Sequence, residues 1–474
     1  MAKLIALLWM LLHAPLAIGQ QNLPSMGERA DIALSPIEER ELGSQFMRQI
    51  RASLPLVSDV QLNEYIQNLG ARLVMAAGNQ DVNNFHFFII DDPQINAFAI
   101  PGGYVGVNTG LIAAMDQEEQ LASVVAHEVA HVTQRHHART FATGNRASLS
   151  AAAAVLAAII IGQASPQAGQ AALAAGLAAS QQSAINFTRA NEVEADRIGI
   201  EILTNAQYDA RAMAETFAIL RRKNSLNTSN RQLEYLRTHP LDNNRIAEAT
   251  DRADGKSTKP RVPAIDYQLF QARMEVLSSR DLAKIQRYYH AEHRKSPKTH
   301  TAYALALISH QANRSDEAKR YLEELDSLSS THAMIELLRA DINARNNSKE
   351  TLKRLKAMSE LYPERYSIVE KRLEFLVDQR QLSRAIDVAN NYIRGSAKPN
   401  PLAWRELASI QQQLNDRAGS HESLSRFFES LGELEQATEQ LQLALREVQS
   451  ESQDSFRLNA RLKRLQELAS QFRQ

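Results

Sequence analysis

LASVVAHEVAHVT, residues 121–133, contains His127-Glu128-Val129-Ala130-His131, an H-E-x-x-H sequence set among small and β-branched residues. Histidines four apart share one helical face, so both imidazoles can reach one metal ion. Glu128, about 100° around the helix, leans over the same site. Val124, Val125, Ala126, Val129, Ala130 and Val132 suit a central packed helix rather than an exposed one. Asp116 as N-cap, with Glu119 closing a capping box, predicts where this helix starts. The motif gains specificity only with a third ligand and a buried setting.

The third ligand is sought in RANEVEADRIG, residues 189–199. Glu192 and Asp196 lie four apart on one helical face, whereas Glu194 points elsewhere. A carboxylate at Glu192 completes a two-histidine, one-glutamate zinc site and leaves the fourth position for water. Asp196 can accept the outer N–H of a ligating histidine, which fixes its tautomer. Gly199, on the same face, lets two helices approach closely. An acidic helix alone would read as a solvated face; its combination with His127 and His131 changes that reading.

Upstream, Ser35, Pro36 and Glu38 form a helix-start signature, and Leu62, Ile66, Leu69 and Leu73 keep a helical period past Pro55. The pattern then switches to strands: Phe85–Ile90, the run Asn96, Ala97, Phe98, Ala99, Ile100, and Tyr104–Val107. Pro101, Gly102 and Gly103 separate the last two. They are either simply a turn or part of an edge strand that lends backbone groups to an extended peptide. His136 and His137, nine and ten residues beyond His127, miss its face and are predicted at the surface. Near 149–185 two alanine-rich apolar runs predict a helical insert over the cleft. They are too short to span a membrane, and surface association with a bilayer stays open.

NAFAIPGGYVGVNTGLI (96–112), His127-Glu128-x-x-His131 and Glu192-x-x-x-Asp196 together resemble the gluzincin metallopeptidases typified by the CAAX-processing protease and HtpX, over residues 35–250. The resemblance implies His127, His131 and Glu192 as ligands of one zinc ion, Glu128 as general base and Asp196 behind a ligand. It further implies a zinc endopeptidase acting in quality control of outer-membrane β-barrel proteins. Its partners would be unfolded or stalled outer-membrane proteins and, through the C-terminal half, the β-barrel assembly machinery. The segment Arg237–Ile246, RTHPLDNNRI, also resembles a histidine-proline segment of the family. Arg245 there could reach a reaction oxyanion or anchor its helix to a carboxylate. His239 could close the fourth zinc position as a latch, donate to the oxyanion, or merely begin a helix.

The outer parts of the chain set address and architecture. Residues 1–19 read as a secretory signal, with Lys3, an apolar run and Ala17-Ile18-Gly19 at the cleavage end, which predicts the periplasm. There is no cysteine, so thiolate ligation, thiol catalysis and disulfides are excluded. Lys plus Arg and Asp plus Glu are 54 each, which gives nucleic acid no electrostatic footing. Residues 20–254 form the expected α+β zincin-like domain, mostly helical with a small sheet. Residues 255–263 read as a linker, and 264–474 as an all-α tetratricopeptide-like solenoid. Ala318, Ala385, Trp404-x-x-Leu407-Ala408 and Gly432-x-x-x-x-Ala437 carry that last reading, with Ser or Thr in some small positions. A repeat arm suits a protein substrate or assembly partner. A chaperone or scaffold is the alternative, and the completeness of His127, Glu128, His131 and Glu192 weighs against it.

Overall fold

Ser35 caps the first helix, α1 (Pro36–Ser53): its hydroxyl accepts from the Glu38 N–H, and the Glu38 carboxylate accepts from the Ser35 N–H. The computed structural model describes residues 34–79, 82–142, 181–226, 233–255, 264–328, 332–344 and 348–471. The signal segment, the insert up to residue 180 and linker residues 256–263 lie outside them. After α1 comes α2 (Val60–Ala76), which buries Leu62, Ile66, Leu69 and Leu73 as their spacing predicts. Strands β1 (His86–Ile90), β2 (Ala97–Ile100) and β3 (Tyr104–Asn108) then form a sheet of order β1-β3-β2. β1 runs parallel to β3 with His86 opposite Tyr104, and β2 runs antiparallel to it with Phe98 opposite Gly106.

The sheet is covered on both faces, which is why its strands read as near-continuous apolar runs. Phe87, Ile89, Ala97, Ala99, Val105 and Val107 enter the main core beside α2. Their alternates Phe88, Ile90, Phe98, Ile100 and Tyr104 pack on Phe46, Met47 and Ile50 of α1. The β2–β3 turn uses Gly102 and Gly103, both at positive φ, and a Cβ on Gly103 would stand 2.3 Å from the Asn84 carbonyl oxygen.

Beyond α3 (Thr109–Ala114) lies the central helix α4 (Glu118–Thr133), buried from Gln120 to His131. The expected Asp116 cap is not made. Gln117 occupies the N-cap position without a side-chain bond, and the Asp116 N–H instead donates to Gln120 Oε1 at 2.8 Å. The helix begins one residue too late for Asp116 to reach its first free N–H groups. Glu118 takes over the anchoring: it accepts from Arg72 at 2.7 Å and from the hydroxyls of Tyr65 and Tyr208. A carboxylate in the first turn also complements the helix dipole. Packed around α4 are α6 (Gln181–Asn205), α7 (Ala212–Ser225) and the short α8 (Glu234–Thr238), with α5 (His136–Ala142) following it and α9 (Asn243–Ala253) beyond.

The remaining described chain is entirely helical: α10 (Ile265–Leu277), α11 (Leu282–Lys295), α12 (Thr299–Gln311), α13 (Ser315–Ser327), α14 (Ala333–Asn343), α15 (Ser348–Leu361), α16 (Tyr366–Asp378), α17 (Leu382–Gly395), α18 (Pro401–Gln413), α19 (Arg417–Ser430), α20 (Leu434–Arg446) and α21 (Gln453–Gln471). Consecutive helices pack as a solenoid, and a small buried residue recurs at Ala318, Thr351, Ala385 and Ser420, spaced 33, 34 and 35 residues apart. Each seats one helix against the next, so Ser and Thr serve as well as Ala. Residues of positive φ stand five positions before three of them: Asn313, Arg380 and Asn415.

The predicted boundary at residue 264 does not coincide with the edge of the first core. Tyr267, Phe270 and Met274 of α10 belong to the core around α4, and Phe270 stacks on Tyr65 with centroids 4.1 Å apart. Later helices return to α2 as well. Arg273 forks onto Asp59 at 2.6 and 2.9 Å, Ser367 donates to Glu64, and Val60 packs with Tyr366 and Val369. Phe270→Ala should therefore cost about 3–5 kcal/mol and lower the melting temperature of the peptidase core as well as the solenoid.

Glu370, on α16, is pushed from an ordinary 4.5 to about 8, chiefly by burial and then by neighbouring Glu374, with Lys371 offsetting part of it. The folded state resists its ionisation, so stability should fall as pH rises from about 4.5 to about 8 and stay low above. Glu370→Gln should flatten that decline, giving a higher melting temperature than wild type at alkaline pH and little difference in acid.

Candidate metal centre

Side chains from three separate elements meet over α4. His127 and His131 come from α4, Glu192 from α6, and His239 from the residue after α8. All are buried, and one donor atom from each lies within 4.8 Å of the others. His127 Nε2 is 3.0 Å from His131 Nε2, 3.3 Å from His239 Nδ1 and 3.4 Å from Glu192 Oε2. Glu192 Oε1 lies 3.4 Å from His131 Nε2 and 3.1 Å from His239 Nδ1.

These separations fit a tetrahedral ion. Zinc–nitrogen bonds of about 2.0–2.1 Å place neighbouring donors about 3.3–3.4 Å apart. The donor set, three imidazoles and one carboxylate with no thiolate in reach, is one that zinc accepts. Glu128 stands next to the cluster, buried, with Oε1 lacking a hydrogen-bond partner and 3.5 Å from His239 Nε2. A buried carboxylate oxygen without a donor is costly, and such exceptions concentrate at functional sites.

The close approach of α4 and α6 depends on Gly199, where a Cβ would stand 3.4 Å from the His127 backbone nitrogen and 2.9 Å from the Met213 methyl. Asp196, one turn beyond Glu192, lies with Oδ1 2.9 Å from His127 Nδ1. Burial opposes charge on His127, but Asp196 and Glu192 outweigh it and push the ring up to about 10. Burial drives His131 the other way, well below the ordinary range. Metal ligation requires the neutral imidazole at both positions, so zinc affinity should fall as pH is lowered.

Arg245 sits at the start of α9 with Asp242 capping that helix. Its guanidinium forks onto Asp196 at 2.7 and 2.8 Å, approaches Glu192 Oε2 at 3.0 Å, and donates to the Pro240 carbonyl at 2.6 Å. The turn carrying His239 is held further through Tyr235. The Tyr235 ring stacks on His239 at 4.7 Å, the His239 N–H donates to the Tyr235 carbonyl, and the Tyr235 N–H donates to the Ile95 carbonyl just before β2.

His136 and His137 overturn the surface prediction. His136 is buried, with Nδ1 2.9 Å from His131 Nδ1 and Nε2 3.2 Å from Glu194 Oε2. His137 is half-buried, with its ring against the Ala99 backbone on β2. α4 ends at Thr133 and the chain turns through Arg135 at φ 51° into α5, so face arithmetic counted from His127 does not extend to either residue. Glu194 lies outside the four-residue cluster and pairs with Arg139 at 2.8 Å. Tyr235 was not singled out from the sequence, although its four-residue spacing from His239 was a signal that could have found it.

The family model of peptidase family M48 matches residues 60–253. Over 95% of its length the chain is 34% identical to the beta-barrel assembly-enhancing protease of Escherichia coli K12, covering 93% of that protein. It is 33% identical to the protein of the same name from Yersinia pestis, over 96% of this chain and 93% of that one. The mitochondrial metalloendopeptidase OMA1 of Bos taurus is 32% identical over 39% of this chain and 36% of its own length.

His131→Ala should abolish stoichiometric zinc binding by elemental analysis, whereas Glu128→Gln should retain zinc and lose peptide turnover by about 100-fold or more. Full zinc occupancy in His131→Ala would contradict the ligand assignment.

Proposed function

The chain belongs to peptidase family M48, with β-barrel assembly-enhancing proteases as its full-length relatives, and on that premise we propose a zinc endopeptidase that acts on unfolded or stalled outer-membrane proteins. The observation that carries this reading is the convergence of His127, His131 and Glu192 on one point, with Glu128 beside it. When bound there, zinc supplies Lewis acidity toward a water and the scissile carbonyl. Glu128 takes the water proton and later delivers it to the leaving amine nitrogen. Asp196 holds His127 through Nδ1, and Arg245 braces Asp196, Glu192 and the Pro240 carbonyl together. With those donors engaged, Arg245 serves as an anchor rather than as an oxyanion donor.

His239 is the resting-state latch in this reading. Its Nδ1 takes the fourth position that water would need, and its Nε2 lies beside the general base. An extended substrate would pair with β2, one of the two terminal strands of the described sheet, but its residues are buried and His137 rests against the Ala99 backbone. Engagement therefore requires rearrangement around the same cleft. The 33–35-residue repeat matches the tetratricopeptide period and offers a docking arm for substrate or the β-barrel assembly machinery.

The name of the full-length relatives and the N-terminal segment support a periplasmic location. No described helix is long and apolar enough to cross a membrane.

Cleavage of an unfolded outer-membrane protein by wild type and not by Glu128→Gln tests the activity. For the latch, His239→Ala should raise basal casein cleavage and self-cleavage by about tenfold with zinc retained. A loss of turnover with zinc retained would instead make His239 an oxyanion donor.

A further inference from the structure

We propose that His136 and Glu194 are positioning residues that set the tautomer and orientation of His131, and so tune metal affinity; this rests on the ligand assignment above. Glu194 is held by Arg139 at 2.8 Å and faces His136 Nε2 at 3.2 Å. A carboxylate accepts and does not donate, so His136 must carry its proton on Nε2. That leaves His136 Nδ1 as an acceptor, 2.9 Å from His131 Nδ1. Protons on both facing nitrogens would repel, so His131 donates through Nδ1 and keeps its Nε2 lone pair directed at Glu192 and His127.

The two rings cross nearly at right angles, at 82°, with centroids 4.8 Å apart, and His136 is 2% exposed, so water does not compete for the contact. The arrangement parallels the one at His127, where the Asp196 carboxylate meets Nδ1 directly. At His131 a neutral imidazole is interposed between ligand and carboxylate. The carboxylate consequently lies at the partly exposed rim, with 27% of its side-chain surface accessible. Such outer partners raise ligand basicity and remove the need to freeze the ring on binding. Glu194 therefore contributes although it is not a ligand, which departs from the sequence expectation that it points away and has no part.

The test is zinc affinity of the full chain by chelator competition, with folding followed by circular dichroism, for wild type and four variants. His131→Ala should lose zinc; if it does not, the ligand assignment itself fails. With that control in place, His136→Ala should weaken binding by about 10–100-fold. His136→Asn, whose amide oxygen can stand near the former Nδ1, should recover most of it. Equal weakening in His136→Asn and His136→Ala would reduce His136 to packing and overturn the proposal, as would wild-type affinity in folded His136→Ala. Glu194→Ala removes a rim carboxylate and decides the matter even if His136→Ala does not fold. Several-fold weaker binding supports the relay, and unchanged binding overturns it.

Discussion

Two helices must come close enough for side chains from each to share an ion whose bonds are only about 2 Å long. That constraint falls on α4 and α6, and Gly199 meets it: any side chain there would press on the His127 backbone and on Met213. The rest of the domain holds that approach rigid. The sheet backs α4 on one side, α2 and α7 flank it, and Glu118 ties its first turn to Tyr65, Arg72 and Tyr208.

Bringing so many ionisable groups out of water is expensive unless each finds a partner. Here the partners are shared. Arg245 neutralises Asp196 and Glu192 together, and its remaining reach goes to the Pro240 carbonyl in the turn that bears His239. The same guanidinium therefore braces Glu192, the Asp196 carboxylate beside His127, and the turn that bears His239. Glu192, Asp196 and the turn that bears His239 are consequently tied together through one side chain, within the span of α6 and α9.

Much of this was legible in the sequence because the relevant information is periodic. The four-residue spacings of His127 with His131 and of Glu192 with Asp196 survive folding, because both pairs lie within unbroken helices. The strands were readable from β-branched and aromatic runs, and the Ser35–Glu38 cap from local chemistry alone. What escaped was whatever depends on a turn or on distant packing. His136 was misplaced because Arg135 breaks the helix in a left-handed conformation. Asp116 was misread as a cap because helix start shifts by a single residue when Glu118 has better partners. The sharing of α10 between core and solenoid could not be read locally, since Tyr267 and Phe270 meet Tyr65 across two hundred residues of chain.

X-ray absorption at the zinc edge of the resting full-length protein tests the central claim most directly, because it counts and identifies the atoms around the metal. The account predicts a four-coordinate shell of light donors at about 2.0–2.1 Å, with multiple-scattering features of three imidazoles and a single carboxylate oxygen. A shell with only one imidazole, or a six-coordinate, oxygen-dominated one, would contradict it.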